Sequence, residues 1–165
     1  MTKTFLKGAL LATVAFAATP AFAANPETAT ATATIVKPLE ITKASDLNFG
    51  TITMGSALVS SGVTVDAVSG AVAACGAALT CSGTSQPASF DVVGFGNLTA
   101  DLTYTAPTEL TNVDGDTVVF ALDGDDTVTL TNGVGTFYAG GTITVLAATK
   151  PGVYSADFEV SADYQ

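Results

Sequence analysis

Apolar and polar positions alternate with a period of two along most of this chain. From Val153 to Tyr164, Tyr154, Ala156, Phe158, Val160, Ala162 and Tyr164 share one parity, while Ser155, Asp157, Glu159, Ser161 and Asp163 share the other. Side chains of a strand point alternately to its two faces, so this segment predicts a half-buried strand with its acids toward water. The same alternation appears in Ala29, Ala31, Ala33 and Ile35, within Thr28–Val36, and continues past Pro38 through Leu39 and Ile41. It recurs at Leu47 and Phe49, then Ile52 and Met54 beyond Gly50, where a bulge is expected. Further strands are expected around Val63 and Val65, Ala88 to Val92, Leu98 to Tyr104, Val118 to Leu122, Val128 to Leu130, and Ile143 to Val145. The turn residues Asp123-Gly124-Asp125-Asp126 between two of these predict a hairpin. Lys150-Pro151-Gly152 predicts the turn before the last strand.

No mature segment carries the i, i+3, i+4, i+7 spacing of an amphipathic helix. The Ala-rich piece Ala67–Leu79 is interrupted by Gly70 and Gly76 and is expected to be a loop, as is the wider Gly-, Ala- and Ser-rich run Ser69–Pro87. About nine short strands separated by turn signals predict an all-β antiparallel sandwich, with a closed barrel as the alternative. The Thr28–Val36 strand has two readings. It is either the sandwich's own first strand or a segment that adds to another subunit's sheet.

The first residues have a different pattern. Lys3 and Lys7 precede the apolar run Gly8–Ala18, and Ala21-Phe22-Ala23 has small residues at the two positions a signal peptidase requires. Residues 1–23 are therefore expected to be a signal peptide, and residues 24–165 one exported domain. The apolar run is too short to span a bilayer. Removing the leader leaves three lysines against fifteen acids, a net charge of −12, with no Arg, His or Trp. Such a surface repels nucleic acid and anionic lipid, and neither is expected as a partner.

Chemistry-bearing residues are few. Cys75 and Cys81 are the only cysteines. In an exported chain they predict a structural disulfide rather than a redox pair, since no cation lies near them in sequence to stabilise a thiolate. With no His, zinc lacks its usual ligands and a Ser-His-Asp triad is excluded. No enzyme and no cofactor are expected. Asp114, Asp116, Asp123, Asp125 and Asp126 are hard oxygen donors and invite a calcium reading. The spacing of an EF-hand loop is absent, however, and Asp-Gly is also a common hairpin turn. Turns are the expected role and calcium the weaker alternative.

The segments Ala33–Ile41, Leu47–Ile52, Gly140–Val145 and Pro151–Tyr164 resemble the bacterial domain-of-unknown-function family 4402. That family is similar in outline to spore-coat protein U and to chaperone–usher pilin subunits. The closing Gly-x-Tyr-Ser-x-x-Phe-x-Val-x-x-x-Tyr pattern carries most of the likeness. The resemblance implies an immunoglobulin-like sandwich with an incomplete last strand, sited in the periplasm, at the cell surface or in an extracellular fibre. It implies a structural subunit assembled by strand addition, with identical or related subunits and a periplasmic chaperone as partners. Phe158, Val160 and Tyr164 would then form the docking edge, and Ala29, Ala31, Ala33 and Ile35 the strand that inserts. The alternative function is a self-contained binding module.

Overall fold

A computed structural model describes residues 26–56, 59–68 and 74–165. The leader reading of residues 1–23 lies outside the described residues. Two compact units divide the chain, residues 1–34 and residues 35–165. The second holds every strand among the described residues: β1 (Glu40–Ser45), β2 (Thr51–Met54), β3 (Ser60–Val65), β4 (Ala74–Cys75), β5 (Leu79–Ser82), β6 (Ala88–Val93), β7 (Thr99–Thr105), β8 (Glu109–Thr111), β9 (Thr117–Gly124), β10 (Thr127–Thr129), β11 (Val134–Leu146) and β12 (Glu159–Tyr164). All pairings are antiparallel. The fold is all-β and has the layering of an immunoglobulin-like sandwich.

The long strand β11 organises the largest sheet. Its first half pairs with β6, which pairs with β1; its second half runs between β3 and β9. Gly140 and Gly141 lie where the partners change. A Cβ on Gly140 would collide with the backbone of Val65, Asp66 and Ala67, so only glycine lets the chain segments approach this closely.

Two apolar clusters follow from the two halves. Phe137 and Ala139 of β11 join Ala88, Phe90 and Val92 of β6 beneath the three-stranded sheet β10-β7-β12, with Ala100, Leu102, Val128 and Leu130 filling between. Ile143 and Val145, two turns of the pleat further on, join Val63, Leu110, Val118 and Phe120. The two-stranded sheet β2-β5 covers this second cluster through Ile52, Met54, Leu79 and Cys81. The inward residues are those of the alternating pattern: Phe90, Val92, Val118, Phe120, Ile143 and Val145 are all buried.

Four expectations are corrected. Thr28–Val36 forms no strand and its residues are exposed, Ile35 at 87%. Alanine methyls remove too little apolar surface from water to offset the entropy of fixing the backbone. The first strand is β1, beyond Pro38. Second, the Asp123–Asp126 run is not a hairpin, for β9 and β10 belong to different sheets. Asp125 holds this crossing: its N–H donates to the Tyr138 carbonyl at 3.1 Å, its Oδ2 accepts from the Tyr138 N–H at 2.9 Å, and its carbonyl accepts from the Tyr104 hydroxyl at 2.9 Å. Third, the Gly-, Ala- and Ser-rich run is not all loop, since β4 and β5 lie within it. Fourth, the bent strand expected over Leu47–Met54 is a strand only from Thr51, since Asn48 makes an isolated bridge with Gln86 and Gly50, between Asn48 and Thr51, has φ +75°.

Cys75 and Cys81 form the expected disulfide, with their Cα atoms 6.0 Å apart. It joins β4, at the margin of the main sheet, to β5 of the small sheet over the second cluster. Closing so short a loop contributes about 2–3 kcal/mol. Reduction, or Cys75→Ser with Cys81→Ser, is expected to lower the unfolding free energy by about that amount in a denaturant titration. Unchanged midpoints would show that the small sheet holds its place without the bond.

Candidate interaction edge and groove

The terminal strand β12 pairs with β7 along one side, Glu159 with Thr105 through Tyr164 with Ala100. Among the described residues nothing pairs with its other side. The strand is shorter than the expected Val153–Tyr164, because residues 153–158 form only an isolated bridge from Ser155 to Thr111 and Ala156 is exposed, but within Glu159–Tyr164 the alternation sorts the side chains as predicted. Glu159, Ser161 and Asp163 are exposed, while Val160, Ala162 and Tyr164 are half-buried against the first cluster. Phe158, just before the strand, is also half-buried and meets Phe90 edge-on with centroids 6.1 Å apart. The predicted docking residues Phe158, Val160 and Tyr164 therefore share one face.

The strand's far end is fastened. The Tyr164 hydroxyl accepts from the Phe95 N–H at 2.7 Å. The Gln165 N–H donates to the Thr99 carbonyl at 3.1 Å, and its Nε2 donates to the Asp101 carboxylate at 2.6 Å.

β1 is a second open edge, because among the described residues it pairs only with β6. Its Leu39 and Ile41 side chains are half-buried against the same cluster as β12. The two edges run antiparallel past each other. Leu39 and Tyr164 meet over Gly94, where an added Cβ would collide with both. At the opposite end Lys43 and Asp157 interact electrostatically. Val36–Leu39 and Ala162–Tyr164 line a shallow groove between the edges. Leu39 and Ala162 contribute its apolar lining, and Ile41, Phe158 and Val160, also only half-buried, pack against the first cluster along the same two strands. Two unpaired sheet edges flanking a partly uncovered core form a template for one more strand.

Charge sets the rim. Asp157, Glu159 and Asp163 are exposed along β12. The Lys43 ammonium is raised above its ordinary value, first by the hydrogen bond from its Nζ to Asp46 at 2.5 Å, then by the Asp46 charge, with Asp157 adding to it. On the opposite side of the cluster, burial pushes the Tyr104 hydroxyl well above the ordinary tyrosine range, and Asp125, Asp126 and Asp123 add to the shift. The folded state thus holds that proton above the pH at which the unfolded chain releases it. Tyr104's contribution is complete below about pH 10 and is lost as pH rises beyond. Tyr104→Phe removes one hydrogen bond and is expected to melt lower at pH 8. The two melting curves should converge toward pH 11, and a constant offset would count against this titration.

The remaining aspartates serve local structure. Asn112, buried, has its Oδ1 accepting from the N–H groups of Asp114 at 3.0 Å and Asp116 at 2.8 Å, which closes the turn before β9. Asp116 is held below the usual carboxylate range mainly by Lys150, whose Nζ lies 2.8 Å away. Asp123, Asp125 and Asp126 mark the crossing between sheets. Among the described residues no three carboxylate, Cys or His side chains are placed to hold a metal ion. Ala29, Ala31, Ala33 and Ile35 are exposed and belong to no strand. What sequence reasoning missed is the groove's end, Pro38, Leu39 and Gly94. The glycine-flanked Phe95 after a strand was the available signal, since glycine there often marks close approach.

Among the described residues no helix is long and apolar enough to cross a membrane. Comparison with curated proteins and with solved structures finds no match. The model of one family, described as "Domain of unknown function (DUF4402)", matches residues 39–164. That match spans β1 to β12 and both edges of the groove, and the chain belongs to the DUF4402 family.

Proposed function

We propose that this protein is an exported structural subunit of a surface fibre or coat, joined to its neighbours by strand addition at the open edge of β12. The observation that carries the reading is the pair of open edges β1 and β12, whose half-buried apolar side chains pack on one cluster and whose ends line a shallow groove. The chain also carries an alternating segment, Thr28–Val36, that belongs to no sheet of its own. An added strand satisfies the free backbone groups of β12, and its inward side chains cover Ile41, Phe158 and Val160. A chaperone in the export compartment would shield the same edge before assembly. The disulfide suits an oxidising compartment.

The test is size-exclusion chromatography with light scattering on the chain from Ala24, beside the same chain lacking residues 24–36. The expected result is a ladder of oligomers from the first and none from the second. A clean monomer from the full chain, at every concentration, would overturn the reading and favour a self-contained binding module.

A further inference from the structure

The alternating segment and the open edge occur in one chain, so the segment has two destinations: its own subunit or a second copy. Intramolecular closure has the advantage. Across a linker of a few residues the effective concentration is on the order of millimolar, so at equal contacts self-closure would exceed assembly at any ordinary concentration. A fibre subunit of this design therefore needs something to forbid self-closure.

The sequence at the junction supplies it. Thr28–Val36 would reach its own subunit's open edges by a hairpin onto β1, with Lys37, Pro38 and Leu39 as the loop. Two-residue hairpin loops of types I′ and II′ require positive φ at their first central residue, and three-residue loops require a left-handed residue, usually glycine. Four- and five-residue loops built on a type I turn would accept Pro38 but would have to take in Val36 or Glu40 from the strands themselves. Pro38 is locked near φ −65° and biases Lys37 to extended backbone. No Gly, Asn or Asp stands anywhere from Glu27 to Ser45, so the junction lacks every residue that enters the left-handed region cheaply. The only described non-glycine residue with positive φ is Asn132, far from the junction in sequence.

We infer that Pro38, in a junction without turn residues, denies Thr28–Val36 the hairpin onto its own β1 and so reserves that segment for the groove of a second copy. The inference rests on the strand-addition reading above. Charge is consistent with this occupant. Copies of a chain at −12 repel, yet Thr28–Val36 is uncharged and brings no further negative charge to the rim of Asp157, Glu159 and Asp163. Lys37, the first charged residue after it, lines the groove beside Asp163.

The test gives the junction a turn. Lys37→Asn with Pro38→Gly installs the favoured type I′ pair ahead of Leu39. A second variant inserts Gly-Ser-Gly-Ser between Val36 and Lys37 and leaves Pro38 and Leu39 untouched. Both are run from Ala24 beside the unaltered chain and the chain lacking residues 24–36. The expected result is oligomers from the unaltered chain alone. Both junction variants should be monomers that melt higher than the truncated chain, with melting temperatures independent of concentration. If the unaltered chain assembles, the truncated one does not, and both junction variants assemble as well as the unaltered chain, the role of Pro38 is overturned while strand addition stands. If the unaltered chain does not assemble, both fall together.

Discussion

Phe137→Ala is expected to lower the unfolding free energy by about 3–5 kcal/mol, a large fraction of the roughly 5–15 kcal/mol that holds such a domain folded. Phe137 is 1% exposed and is the largest of the fully buried side chains. Its ring stacks on Phe90 with centroids 5.0 Å apart and meets Tyr104 edge-on at 6.4 Å. It therefore joins β6 and β11 of the large sheet to β7 of the three-stranded one. Truncation opens a cavity between layers whose backbones are fixed by antiparallel pairing on each side, so collapse around it is limited. Phe137→Leu keeps most of the volume and should cost less than half as much. A urea titration of both variants checks this. Equal midpoints for Phe137→Ala and the unaltered chain would mean that the first cluster does not hold the sandwich together.

The second large effect falls on assembly. Ala31→Asp with Ala33→Asp places two carboxylates on the parity that would face the apolar groove, beside a rim already carrying Asp157, Glu159 and Asp163. Burying even one unpaired charge costs several kcal/mol, so association should weaken at least a hundredfold. The subunit itself should melt unchanged, because these alanines are exposed and outside every strand. Thr30→Asp with Thr32→Asp, on the opposite parity, should weaken association much less. Equal loss from both pairs would mean that general charge, rather than the inward face, governs association. Light scattering across a concentration series reads the difference.

The period-two pattern made most of the core legible. Ala88, Phe90 and Val92, then Val118 and Phe120, then Ile143 and Val145 are inward because their neighbours in sequence are outward. The half-buried face of β12 followed from the same rule. The pattern misled where alternation came without apolar area, as in the Ala–Thr run of Thr28–Val36. It could not show that Asp123–Asp126 crosses between sheets, because that crossing is fixed by Asp125 bonding to Tyr138 and Tyr104, residues distant in sequence. β4 and β5 were hidden for a similar reason: they are short, and they pair with β3 and β2, distant in sequence, on either side of the disulfide that joins them. Of the candidate edge, Phe158, Val160 and Tyr164 were legible. Leu39, Pro38 and Gly94, which close its end, come together only through the antiparallel approach of β1 and β12.

The central claim is that the open side of β12 accepts the strand Thr28–Val36. The direct measurement is amide hydrogen exchange on the chain lacking residues 24–36, with and without a synthetic peptide spanning residues 28–36. Protection is expected to rise along β12 from Glu159 to Tyr164, with little change in β3, β4 or β8. Saturating peptide should also raise the melting temperature, by mass action on the folded state. Exchange along β12 that the peptide leaves untouched, at concentrations into the millimolar range, would contradict the claim.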